Sequence, residues 1–116
     1  FLGGGRHFFL PEEMEGKRKD ARNLLEEVKA SHTLLTTKDE MNDFNDNKLG
    51  KVFGLFADEH LRSIDSPDNH SSEPSLSEML HFAVKRSGQF INNGCKGFFI
   101  MGEGSQVDWS GHSNSL

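Results

Sequence analysis

Apolar residues in this chain fall in short clusters separated by long polar stretches, and the spacing within each cluster sets the element it predicts. Ala21, Leu24, Leu25 and Val28 recur at helical spacing, so a helix is expected from Asp20, its cap, to about Ser31. Thr33 to Thr36, within HTLLTT, is a short strand candidate. Thr37 followed by Glu40 has capping-box spacing and opens a second helix. That helix should stop near Asp43, because Asn45, Asp46 and Asn47 favour turns. Lys51 to Phe56, KVFGLF, is a second buried strand candidate. Ser75 with Glu78 opens the longest helix, with Leu76, Met79, Leu80, Ala83, Val84 and Ile91 on its stripe and Asn93-Gly94 at its end. Phe98, Phe99, Ile100 and Met101 form a continuous apolar run that predicts a strand covered on both faces.

Strands alternating with helices predict an α/β fold with a largely parallel sheet. In such sheets functional groups gather beyond the carboxyl ends of strands. The sequence contains no internal repeat and no domain boundary, so residues 1–116 read as one domain or part of one. Residues 58–74 are the best candidate for an exposed excursion, being rich in Ser, Asp, Asn and Pro from Asp65 onward. Glu12 to Lys19 is highly charged and expected to be solvated.

Composition narrows the function. A net charge of −5 argues against nucleic acid as a partner, since backbone binding needs a basic surface. No apolar run approaches the roughly 20 residues of a membrane helix. The single cysteine, Cys95, excludes an internal disulfide framework and a Cys-rich zinc site, and reads as a turn-adjacent structural residue. The chain opens at Phe1 without an initiator Met or a signal peptide, which leads us to expect an internal piece of a longer protein.

The chemistry concentrates in GFFIMGEGSQVDWSGH, Gly97 to His112. Glu103 follows the expected strand and is flanked by Gly102 and Gly104, which leave room for a ligand. Asp108 and His112 lie four apart, so a helical turn from Val107 would project both from one face. Carboxylate oxygens suit Mg²⁺, and an Asp oxygen with a His nitrogen suits Zn²⁺. Two ligands are too few for a catalytic zinc, so the others must come from elsewhere in the fold. The competing reading is a set of solvated carboxylates. Trp109 is expected to pack against the sheet, and His7, His32, His60, His70 and His81 share no persuasive spacing with a carboxylate. Gly3-Gly4-Gly5-Arg6 lacks the phosphate-loop form and reads as a tight strand-to-loop turn.

Taken in order, these segments resemble the alkaline phosphatase family. LGGGR (Leu2 to Arg6) is similar to its triple-glycine segment, and GLFA (Gly54 to Ala57) to its mid-chain strand and exit. EPSLSEML (Glu73 to Leu80) is similar to the start of its next long helix, and GFFIMGEGSQVDWSGH to its metal-binding strand and loop. The resemblance implies that Glu103 ligates Mg²⁺ and that Asp108 and His112 ligate one of two catalytic Zn²⁺ ions. It implies a three-layer α/β sandwich around a mostly parallel sheet, with 1–116 an internal segment of the catalytic domain. It further implies a secreted or periplasmic homodimer that hydrolyses phosphate monoesters by two-metal phosphoryl transfer. The serine nucleophile, the phosphate-binding arginine and the downstream zinc ligands have no counterpart here, so the 116-residue piece alone is expected to be inactive. Gly102 stands where the family usually has an apolar residue. The alternatives are a non-catalytic α/β structural or binding module, or a related two-metal sulfatase or phosphodiesterase. The magnesium-type Glu103 tilts against the last.

Overall fold

Three short strands build one parallel sheet. β1 (Leu2–Gly3), β2 (His32–Leu35) and β3 (Lys51–Leu55) lie in the order β1-β3-β2. The computed structural model describes residues 1–45, 50–63, 66 and 72–114. Gly54 of β3 is in register with Leu2 on one side and Leu35 on the other. Parallel strands need crossover connections. α1 (Leu24–Lys29) lies between β1 and β2 in the chain, and α2 (Lys38–Asn42) between β2 and β3. α3 (Leu76–Asn92) and α4 (Ser105–His112) follow the sheet. The α/β class and the parallel sheet are those expected from the alternating pattern.

The core sits where β2, β3, α2 and α3 meet. Leu35, Met41, Phe56 and Met79 are buried together, with Leu2, Phe44, Val52, Leu61 and Phe82 packed around them. Leu55 is wholly enclosed. Removing such a side chain from water stabilises the fold by about 1.5–3 kcal/mol. Arg86 is buried as well: its guanidinium lies over the Phe44 ring at 4.8 Å and donates to the Gly50 carbonyl at 2.7 Å. The positive charge is thereby solvated by a ring face and a backbone oxygen.

Both expected capping boxes form. Thr37 Oγ1 accepts from the Glu40 amide at 3.2 Å, and the Glu40 carboxylate accepts from the Thr37 amide. Ser75 and Glu78 repeat the arrangement at the start of α3, which ends at Asn92 with Asn93 as its C-cap. The expected turn residues Asp46 and Asn47, together with Asp65 and His70, lie outside the described residues.

Three expectations are corrected. α1 starts at Leu24 with Asn23 as cap, not at Asp20. Asp20 instead pairs with Arg18, and Ala21 takes a left-handed φ of 56°, which a helix cannot accommodate. On α3 the buried positions are Met79 and Arg86, whereas Leu76, Val84 and Ile91 are exposed. The stripe read from apolarity alone is rotated, because a buried arginine carries part of the contact. Phe98 to Met101 forms no strand, and Phe99 is 88% exposed. A strand is defined by its ladder partner, and among the described residues this segment pairs with none.

Lys38 of α2 and Glu78 of α3 form an ion pair at 2.6 Å. That bond, with the Ser75 amide, lowers the Glu78 carboxyl from 4.5 to about 2. A carboxyl whose folded value is depressed adds stability that is complete above its unfolded value and is lost as pH falls toward the folded one. Loss of α2–α3 order is therefore expected between pH 4.5 and 2. Glu78→Gln should flatten that part of an acid titration followed by circular dichroism and lower stability at neutral pH.

Candidate metal centre

The exit of β3 and the chain after α3 together position the candidate ligands. α3 offers Leu76 and Leu80 to the returning segment, and Gly102 and Gly104 lie against them. A Cβ on Gly102 would stand 2.9 Å from Leu80 Cδ2. Glycine here lets the returning chain lie close on the helix. Phe99, Met101 and Glu103 are exposed along it, as are Phe98 and Gly102. The chain next enters α4, eight residues long, with Gly104 at its N-cap.

The expected helical turn from Val107 is present within α4. It brings Asp108 and His112 together, with Oδ2 and Nε2 3.5 Å apart and both side chains mostly exposed. That distance is long for a hydrogen bond. It matches two donors on one tetrahedral zinc, which at ~2.0–2.2 Å from the metal stand roughly 3.3–3.6 Å from each other. An anionic oxygen and an imidazole nitrogen are also the donor types that zinc takes. The pair fits the metal. Glu103 is exposed and has no hydrogen-bond or ion-pair partner among the described residues. Among those residues no three His, Cys, Asp or Glu side chains converge as a metal-holding group.

Trp109 packs against His60, not the sheet: the two rings meet edge to face at 4.5 Å. Beside them is an open cleft of about 470 Å³ whose lining includes His60, Arg62, Gln106 and Ser110. Asp108 and His112 are absent from its walls. At 100° per residue, the cleft face and the ligand face of α4 are roughly 130° apart.

The loop beyond β3 carries groups that spacing did not reveal. Asp58 accepts from Arg6 Nε at 2.9 Å and lies 3.6 Å from His7 Nε2. Glu59 pairs with Lys17, and the Lys17 ammonium draws the Glu59 carboxyl below its ordinary value. The Leu61 carbonyl accepts from Gln106 Nε2 at 2.7 Å. Arg6 and Asp58 are 52 positions apart, so no local pattern signals them. The triple glycine does mark the place: β1 takes up Gly3, and a Cβ on Gly4 would run into the Glu59 carbonyl oxygen. The expected tight turn after a strand is there, with the β3 exit pressed against it.

The alkaline phosphatase family model matches residues 1–116. The chain belongs to the alkaline phosphatase family. It is 42% identical to alkaline phosphatase 4 of Bacillus subtilis (strain 168) over 97% of its length, and 40% identical to alkaline phosphatase 3 of the same organism over 99%. A membrane-bound alkaline phosphatase of Bombyx mori is 32% identical over 97% of the chain. The chain covers 21%, 21% and 22% of these relatives, so it spans about a fifth of the length of the curated proteins it matches. Hydrolysis of phosphate monoesters is the reaction of this family, and metal ions are its cofactors. Among the described residues of this family member, no helix is long and apolar enough to cross a membrane.

A side chain at Gly102 would meet only the movable end of Leu80, which would have to turn aside. Gly102→Val should destabilise the fold by no more than about 1 kcal/mol, because the Leu80 tip can move aside. Shortening the obstacle in Gly102→Val/Leu80→Ala should recover part of that loss in a denaturant titration, a coupling expected only of groups in contact.

Proposed function

We propose that this chain is the part of a metal-dependent phosphomonoesterase that supplies ligands to its metals. Asp108 and His112 hold one catalytic Zn²⁺, and Glu103 holds Mg²⁺. The reading is carried by the 3.5 Å oxygen-to-nitrogen pair on the outward face of α4, within a chain of the alkaline phosphatase family. The exposed, unpartnered Glu103, which follows directly on the segment anchored against α3, supports the magnesium assignment.

Each side chain has a defined task. The Asp108 carboxylate provides a hard anionic donor, and the His112 imidazole a neutral nitrogen donor. Held one helical turn apart, they enter the coordination sphere as a preformed pair, so less conformational freedom is lost on binding. Glu103 provides an oxygen of the type Mg²⁺ prefers. When bound, such metals neutralise charge on a transferring phosphoryl group and orient it. The substrate is a phosphate monoester, and the bound cations allow an acidic protein to hold it, since a metal dominates its local field. The reading extends to residues 1–116 as one partial domain, the intact protein as a homodimer, and a periplasmic or secreted location. The remaining zinc ligands and the serine nucleophile are contributed outside this segment.

The intact protein should hydrolyse a generic aryl phosphate and lose turnover with a chelator, regaining it when zinc and magnesium are restored. A zinc- and magnesium-replete protein without that turnover defeats the proposal. Asp108→Ala and His112→Ala should each lower zinc stoichiometry measured by elemental analysis, and Glu103→Ala should lower magnesium. Unchanged metal content in all three variants removes the site assignment.

A further inference from the structure

We propose that the exit of β3, residues 58–62, is a brace that aims the zinc pair, with His60, Gln106 and Trp109 as positioning residues. The proposal rests on the zinc reading of Asp108 and His112. On α4 only Gln106 and Ser110 are more than superficially covered, and they lie on one face, four apart. Through that face the helix reaches the brace. Gln106 Nε2 donates to the Leu61 carbonyl at 2.7 Å, and the Trp109 ring meets His60 edge to face at 89°. The ligand pair occupies the other side of the helix. Rotation of α4 about its axis is therefore resisted by contacts that touch no metal.

The brace is itself held from both ends. Arg6 and His7 pair with Asp58, Lys17 pairs with Glu59, and the Arg62 amide donates to Glu73 Oε2 at 3.0 Å. An eight-residue helix is too short to keep its order unaided in water. A ligand pair on such a helix must nevertheless meet donors supplied from elsewhere within a few tenths of an ångström, which a freely turning helix cannot do. The brace supplies that constraint.

The test uses the intact, metal-free protein titrated with Zn²⁺ against a chelating indicator. Gln106→Leu and His60→Ala should each weaken zinc binding by about 10- to 100-fold, the usual effect of losing a group that orients a ligand. The visible spectrum of the Co²⁺-loaded variants should change, and the melting temperature of the metal-free protein should not. His60→Phe keeps a ring edge against Trp109 and should restore both affinity and spectrum. Gln106→Asn, one methylene too short to reach the Leu61 carbonyl, makes the same comparison with less change to the helix. Wild-type affinity and spectrum in Gln106→Leu, Gln106→Asn and His60→Ala, with zinc lost in Asp108→Ala, overturns the brace and leaves the zinc assignment standing. Zinc binding unaffected by Asp108→Ala and His112→Ala overturns the zinc assignment and the brace with it.

Discussion

Phe1 to Gly3 lie along β3, and the short 3₁₀ turn that follows, Arg6–Phe9, sits over its exit. The Gly54 amide donates to the Phe1 carbonyl and the Phe56 amide to the Gly3 carbonyl, both at 2.8 Å. Contact continues beyond the strand, where the Arg6 amide donates to the Ala57 carbonyl and the His7 amide to the Asp58 carbonyl, both at 3.0 Å. Each bond contributes only about 0.5–1.5 kcal/mol net. Their joint effect is to fix the path of the chain after β3, because every partner sits on one continuous segment. Gly4 is required in that segment, since the Glu59 carbonyl fills the space of a side chain. The ion pairs from Arg6, His7 and Lys17 then fasten the side chains of the same loop.

α3 provides the second constraint. Its inner face enters the core through Met79 and Arg86, and its flank at Leu76 and Leu80 receives Gly104 and Gly102. The returning chain is thereby laid along the helix from its C-terminal toward its N-terminal half. It delivers α4 next to the β3 exit. The two constraints meet at one place, where Gln106 contacts Leu61 and Trp109 contacts His60.

What could be read from the sequence follows from how local each interaction is. The capping boxes at Thr37 and Ser75 are closed within four residues, so their spacing is sufficient evidence. Asp108 and His112 are also a local pair, and helical spacing alone brings them together. The start of α1 was misread because Asp20 had two possible partners, and the Arg18 side chain won over the helix. The apolar run at Phe98 was misread because hydrophobicity reports what a segment would bury, not whether a neighbouring strand is present to pair with it. The contacts of Asp58, His60 and Leu61 could not be read at all. Their partners lie 52, 49 and 45 positions away, and residue type gives no indication of such pairings.

The division of α4 into two faces explains why a local signal was enough to pair the candidate ligands and not enough to place them. Spacing of four sets the distance between Asp108 and His112 in any helix. It says nothing about the direction in which the pair faces. That direction is set by Gln106 and Trp109, which have no metal-binding chemistry of their own and whose partners belong to another part of the chain. The identity of the candidate ligands is therefore a property of the 108–112 stretch, whereas on the proposed reading their geometry is a property of the β3 exit and the glycine-rich segment that shapes it. A substitution at Gly4 would reach the candidate metal centre through the Glu59 backbone and the loop it belongs to, without altering a ligand.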